Sequence, residues 1–443
     1  MKKLLVIGVC MLLTSAGFAL SESWLNEKIG LVLSGGGGRG AYEIGVWKAL
    51  SDLNIHVGGI YGTSVGSINA AGILMGDFKM LRDIWLSMNY DDVMDVSPEV
   101  KKIIEGNLSS LSATDIARAM RSLFTGIDVT PLRNELSKLI DEERVRSSGV
   151  DYGLVAYSLS KMKPTMLYLE DIPDGQLVDY ILASSNFPVF KRETFGGERY
   201  IDGGIYSNIP IELAINRGYK KIIAVDIGTY GLTDILNFLG RYRNKSEIIF
   251  IKPRKHFGTV LTFDPEVSRK YLLEGYLDTL RVFGILKGEK YYIFSTEDIF
   301  KELFMSLSAE SIEELFGVLD LHYSNTAEKE YLYNMIFLPY LESYTGIFGK
   351  PSSDTSYILL EQLASFWGIE WLKLYDSYEL LKEIIIRGEA ESNLNIVQSF
   401  LKNLRYKRLF EGLKILLDKG KPLPKKEKYL ELKKTLEELV TID

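Results

Sequence analysis

Two short apolar runs, "IGLVLS" from Ile29 and "VGGIYGTS" from Val57, each pass into a stretch with helical spacing. The first helix runs through Val46 and Leu50, and the second is built of small residues, "SINAAGILMG". Parallel strands cannot be joined by tight hairpins, so a βαβα alternation of this kind demands helices that carry the chain back across a sheet. Sheet-like runs return at "YGLVAYSLS", "PTMLYLE", "KKIIAVDIG" and "SEIIFIKP". Residues 98–145 read as mostly helical, with Pro131 at the start of "PLRNELSKLI". The expected architecture is α/β, three layers in the order α/β/α around a mostly parallel central sheet.

After about Lys287 the pattern changes. Residues 297–435 show apolar spacing near 3.6 with almost no β-branched alternation; in "ILLEQLASFWGIEWLKLY", Leu359, Leu360, Leu363, Phe366 and Trp367 share one helical face. An all-helical C-terminal domain is expected over residues 289–443, after an α/β domain over 28–288. Gly349, Pro351 and a Ser/Asp cluster interrupt it at "TGIFGKPSSDTS". The 443 residues, 46% hydrophobic, exceed what one ordinary core needs.

The formal charge of -7 gives no general attraction to nucleic acid, and no basic run carries a nucleic-acid motif. Lys2 and Lys3 precede an apolar run from Leu4 to Leu13, followed by Gly17 and Ala19 at the spacing of a signal-peptidase site. Residues 1–19 therefore read as a cleaved secretory signal, with the mature chain periplasmic, outer-membrane-associated or secreted. Cys10, the one cysteine, lies within that run. Cleavage would leave no disulfide, thiol nucleophile or thiolate metal ligand.

Gly35, Gly37 and Gly40 satisfy the G-x-G-x-x-G spacing of a dinucleotide-binding turn. That reading also requires an acid at the end of the second strand to hold a ribose, where this chain has Gly62, Thr63 and Ser64. The loop can instead present bare N–H groups to an oxyanion. "GTSVG", residues 62–66, fits the G-x-S-x-G turn that lifts a serine hydroxyl clear between strand and helix. Candidate bases are few. His56 reads as a connector, whereas His256 and His322 follow Asp202 in the order Ser, Asp, His and keep a triad open. "RYIDGGIYSNIP" places Asp202 at the end of a short strand, and an aspartate there must be desolvated to serve as a base near neutral pH.

In this order, "SGGGGRG", "GTSVG" and "DGG" resemble the three signature motifs of the patatin-like phospholipases. "ASSNFPVF" at 183–190, Asn208 and Pro210 after Asp202, and "FDPEVSRKYLLEGYLDTL" are similar to further family features. The resemblance covers about residues 28–288. It implies a patatin-like domain with Ser64 as nucleophile, Asp202 as base, and Gly35, Gly36, Gly37 and Gly38 as the oxyanion loop. Arg39 aligns with a basic residue of that loop, for loop structure or a phosphate head group. Ser34 departs from the Asp that plant members often carry there. The implied activity is lipid acyl-ester hydrolysis of the phospholipase A or lysophospholipase type, with no metal or organic cofactor. The implied partner is a lipid or phospholipid substrate; peripheral membrane contact is left open and protein partners are unassigned. A Ser-Asp-His esterase and a catalytically silent lipid- or protein-binding relative are the alternatives.

Overall fold

The computed structural model describes residues 22–442 apart from 105–109, 192–193, 196, 229–245, 295–296, 325–326, 350, 391–403, 423 and 425–426. The leader read in residues 1–19 lies outside the described residues. Two compact units divide the described chain: Val282 closes the first, Phe283 opens the second, and residues 436–443 return to the first.

In the first unit the strands are β1 (Ile29–Leu33), β2 (Val57–Thr63), β3 (Asp151–Ser158), β4 (Lys163–Tyr168), β5 (Thr194–Phe195), β6 (Glu198–Asp202), β7 (Lys221–Val225) and β8 (Glu247–Ile251). They form one sheet whose hydrogen-bonded neighbours follow the path β5-β6-β3-β2-β1-β7-β8, with β2 and β6 in succession along one edge of β3 and β4 on the other. Pairing is parallel from β3 through to β8 and antiparallel for β4, β5 and β6. Every residue of β1 and β7 is buried, as expected of parallel strands covered on both faces. The expected mostly parallel sheet with helices around it is what forms. The helices Ala41–Asp52 and Pro265–Val282 pack closely because each turns a glycine to the other: a Cβ on Gly45 would lie 2.1 Å from the Leu272 carbonyl oxygen, and one on Gly275 2.1 Å from that of Tyr42.

Strand register brings the two motif-bearing strands together. β2 runs along one edge of β3 and ends with Thr63 opposite Val155. β6 arrives antiparallel and ends with Asp202 opposite Ala156, one residue further along β3. Both must use the same edge, because β4 pairs with residues 153–158 on the other. Ser64 and Asp202, 138 positions apart in sequence, therefore meet end to end.

The second unit is helical but not wholly so. Its helices include Ile299–Ser306, Ala309–Leu319, Leu338–Thr345, Ser352–Phe366, Ser377–Ala390 and Leu404–Lys419. β9 (Tyr292–Phe294) and β10 (Leu374–Asp376) pair as a parallel ribbon, which corrects the all-helical expectation. Each strand is three residues long, too short for periodicity to reveal it. Phe300, Phe304, Phe316, Phe337, Leu360 and Leu413 form the centre of the core. Phe304 and Phe337 stack at 5.3 Å, so the aromatic run "YLYNMIFLPYLESY" serves packing. Leu359, Leu360, Leu363 and Trp367 are buried, whereas Phe366, the last residue of its helix, is 40% exposed and meets Trp367 edge-on. Glu361 accepts N–H bonds from Glu289, Lys290 and Tyr291 at 3.1, 2.7 and 2.8 Å, fixing the start of this unit with one buried carboxylate. No helix among the described residues is long and apolar enough to cross a membrane.

Candidate active site

Ser64 stands at φ 55°, ψ −127°, between β2 and the helix Val65–Leu74. A non-glycine residue is held in that region only where its surroundings over-determine it. The surroundings are glycine. A Cβ on Gly62 would lie 2.2 Å from the backbone of Gly66, and one on Gly66 would lie 2.3 Å from the Leu33 carbonyl oxygen. The turn closes against β1 without side chains in between. The Ser64 N–H is bonded at 3.0 Å to the Ser184 hydroxyl, which itself donates at 2.6 Å to the Val155 carbonyl.

Asp202 is 6% exposed and accepts hydrogen bonds from the Ser64 hydroxyl and, at 2.7 Å, from the Gly204 N–H. Burial raises its carboxyl to about 6, and those two hydrogen bonds limit the rise. Its own N–H is bonded at 2.9 Å to the Asn186 carbonyl. Ser184 and Asn186, from the segment "ASSNFPVF", thus set the backbones of both Ser64 and Asp202. Nothing in local spacing marks these two roles; they exist only once β3 and β6 are paired.

The glycine loop follows β1 and closes as a single 3₁₀ turn, Gly37–Arg39. Four glycines were expected to offer donors. The structure divides them: Gly35 N–H is bonded to the Asn208 carbonyl at 3.1 Å and Gly38 N–H to the Val260 carbonyl at 2.9 Å, so both are occupied. Among the described residues, the N–H groups of Gly36 and Gly37 meet no acceptor. Gly35, Gly36 and Gly37 line the cavity that Ser64 and Asp202 also line. Gly37 has φ +55°, and a Cβ there would lie 1.9 Å from the Val260 carbonyl oxygen. Asn208 clasps the loop from both sides, its amide donating to the Gly35 carbonyl at 3.0 Å. Ser34 accepts at 2.9 Å from the Ile227 N–H, joining the ends of β1 and β7.

Arg39 points away from the cavity. Its guanidinium donates to the carbonyls of Ile227, Gly228 and Gly258 at 3.1, 3.4 and 3.3 Å, which gives it the loop role rather than the head-group role. No histidine lines the cavity. His256 sits beside Gly228 and Arg39, and burial together with the Arg39 charge holds its imidazole below the ordinary range. His322 belongs to the second unit, and His56 is an exposed connector whose carbonyl accepts the Ile29 N–H.

The cavity measures about 450 Å³. Its walls are mainly apolar, with Ile68, Trp85, Met88, Leu136, Phe187 and Phe263 among them. No lysine or arginine is among its lining residues that the structure describes. A hydroxyl on a strained turn, a desolvated carboxylate bonded to it and two N–H donors that meet no acceptor among the described residues thus belong to residues lining one greasy chamber, the set of groups that acyl transfer to a serine requires. Among the described residues no three His, Cys, Asp or Glu side chains converge as metal ligands would.

A family model described as patatin-like phospholipase matches residues 31–215. Patatin-like phospholipase domain-containing protein 7 of Rattus norvegicus is 26% identical over 222 residues, 49% of this chain and 15% of that protein. Neuropathy target esterase sws of Drosophila melanogaster is 28% identical over 227 residues, 50% of this chain and 14% of that protein. Probable lipid hydrolase 463L of Invertebrate iridescent virus 6 is 27% identical over 197 residues, 43% of this chain and 64% of that protein. The chain thus spans about 15% of the length of the curated animal relatives it matches. Among solved structures, VipD from Legionella pneumophila aligns with a TM-score of 0.31 at 14% identity, over 88% of this chain and 90% of that one, a likeness that carries no weight. By its motifs and by the family match, the segment 31–215 of this chain is a domain of the patatin-like phospholipase family.

Proposed function

We propose that the protein hydrolyses lipid acyl esters through an acyl-serine intermediate. The observation that carries this reading is the Ser64 hydroxyl bonded to the buried Asp202 carboxylate at the wall of an apolar cavity. Ser64 Oγ attacks the ester carbonyl and Asp202 takes the hydroxyl proton. The carbonyl oxygen, now anionic, is met by the Gly36 and Gly37 N–H groups. Collapse expels the alcohol, which leaves with the proton from Asp202. Water then attacks the acyl-serine, gives its proton to Asp202, and frees the fatty acid as Ser64 recovers its hydrogen. Names of relatives that include phospholipase, esterase and lipid hydrolase support the same class of substrate. Phospholipase A and lysophospholipase action are the types we assign.

The test is hydrolysis of a panel of phospholipids, lysophospholipids and neutral esters, with fluorophosphonate labelling. Ser64→Ala is expected to lose both turnover and label, and Asp202→Asn to lose turnover by at least about a thousandfold. His256→Ala and His322→Ala are expected to keep activity; a loss in folded protein on the Ser64→Ala scale would restore the Ser-Asp-His reading. A folded wild type that neither turns over nor labels would favour a binding relative. Export belongs to the same proposal, supported by Lys2, Lys3 and the apolar run Leu4–Leu13. N-terminal sequencing of the exported protein is expected to begin at Leu20.

A further inference from the structure

Glu43 is completely buried on the helix that follows the glycine loop, and the proposed chemistry does not use it. Its Oε2 accepts from the Asn69 amide at 2.8 Å, while among the described residues Oε1 meets no donor in good hydrogen-bond geometry. Burial raises its carboxyl well above the usual range, and hydrogen bonds from the Asn69 amide and the Ser34 backbone only moderate that. Asn69 lies on the helix capped by Ser64 and also donates at 2.9 Å to the Gly40 carbonyl. Its Oδ1 accepts the Trp85 indole N–H at 3.1 Å. Acceptors on one side and a donor on the other leave the Asn69 amide a single orientation. A flipped amide would set oxygen against the Gly40 carbonyl and NH₂ against the indole N–H.

Resting on the acyl-transfer reading, we propose that Glu43 and Asn69 are positioning residues. They form a buried strut that holds the Gly36 and Gly37 N–H groups in register with Ser64, and it ends at the cavity wall on Trp85. Gly40 closes the 3₁₀ turn, its N–H bonded to the Gly37 carbonyl at 3.0 Å, while the Arg39 N–H reaches the Gly36 carbonyl at 3.3 Å. A shift of the Gly40 carbonyl therefore moves the donors. Space at Gly40 is already filled: a Cβ there would lie 2.6 Å from the Trp85 ring and 2.7 Å from Val65, the residue after Ser64. The strut thus spans glycine loop, nucleophile helix and chamber wall. An aliphatic side chain at 43 would fill the volume but leave an Asn69 N–H buried without an acceptor, free to turn. Glutamine keeps an acceptor there.

Hydrolysis of p-nitrophenyl butyrate and laurate by the full chain tests this, with thermal unfolding and fluorophosphonate labelling alongside. Glu43→Gln is expected to stay within about threefold of wild type, since it keeps the acceptor. Glu43→Leu and Asn69→Leu are expected to lower kcat by about tenfold or more and to leave KM within about threefold, because an oxyanion donor acts on the transition state and not on substrate binding. Trp85→Phe, which keeps most of the ring and removes only the N–H, is expected to lower kcat severalfold and stay folded, so the test survives if the leucine variants do not fold. Unchanged kcat in folded Glu43→Leu or Trp85→Phe, with lowered melting temperature alone, would overturn the strut. Absence of both turnover and labelling in the wild type would instead sink the acyl-transfer reading on which it rests.

Discussion

Asp202 answers two opposed demands, because a carboxylate is a useful base only when water is kept from it, and keeping water from it disfavours its charge. With its carboxyl at about 6, the base form is lost below that pH. The kcat/KM profile is expected to rise with pH through about 6 and level off near 7. The same shift has a cost in stability. The unfolded carboxyl titrates near 3.9, so the folded state disfavours its ionisation, and the penalty is absent below about pH 4 and complete above about pH 6. Asp202→Asn is therefore expected to be more stable than wild type at pH 7 by roughly 2–3 kcal/mol and equal to it near pH 4, measurable by denaturant unfolding at both pH values. Ser184→Ala, which leaves the Ser64 N–H without its acceptor, is expected to lower kcat and to cost about 1–3 kcal/mol. Ser64 and Asp202 could be singled out from short, local motifs, and the pairing of β2 and β6 on β3 brings them together. Ser184, Asn69 and Glu43 could not be, since each acts through a partner that folding alone brings near. The one trace of Glu43 is its spacing: with Val46 and Leu50 it shares the buried face of its helix.

At the scale of elements, the strands of the parallel sheet could be read from runs of β-branched residues, while the ribbon of β9 and β10 could not. Donor assignment in the glycine loop could not be read either. It depends on Val260, from a loop far along the chain, taking the Gly38 N–H, and on Asn208 taking that of Gly35. The glycines of G-x-S-x-G serve backbone packing: Gly62 makes room for the backbone of Gly66, and Gly66 for the end of β1 at Leu33 and Ser34. Gly66→Ala is expected to destabilise the first unit by several kcal/mol and to yield little soluble protein, whereas Gly76→Ala, whose Cβ meets nothing within 4 Å, should be much milder despite its φ of +73°. In the second unit Glu361→Ala strips the acceptor from three backbone N–H groups at once. A loss of about 2–4 kcal/mol is expected in that unit's unfolding, partly restored by Glu361→Gln.

For the whole molecule the return of residues 436–443 to the first unit matters most for experiment. Arg82, nearly buried, donates to the Glu438 carbonyl at 2.7 Å, and Arg269 donates to that of Val440 at 3.0 Å. Cutting the chain after residue 288 removes both acceptors. The truncated protein is expected to melt below the full chain's first unit even where the site is untouched, so its activity is informative only beside a melting curve. The register of β3 has a different consequence. That strand carries neither Ser64 nor Asp202, yet the two reach one another because Val155 and Ala156 are adjacent on it. Its letters can drift as far as packing allows, but its length cannot: one inserted residue between these two would part the pair by about 3.3 Å, more than a hydrogen bond can span. What the strand transmits to descendants is a measured interval, and distant kin of this chamber are better sought by that spacing than by spelling.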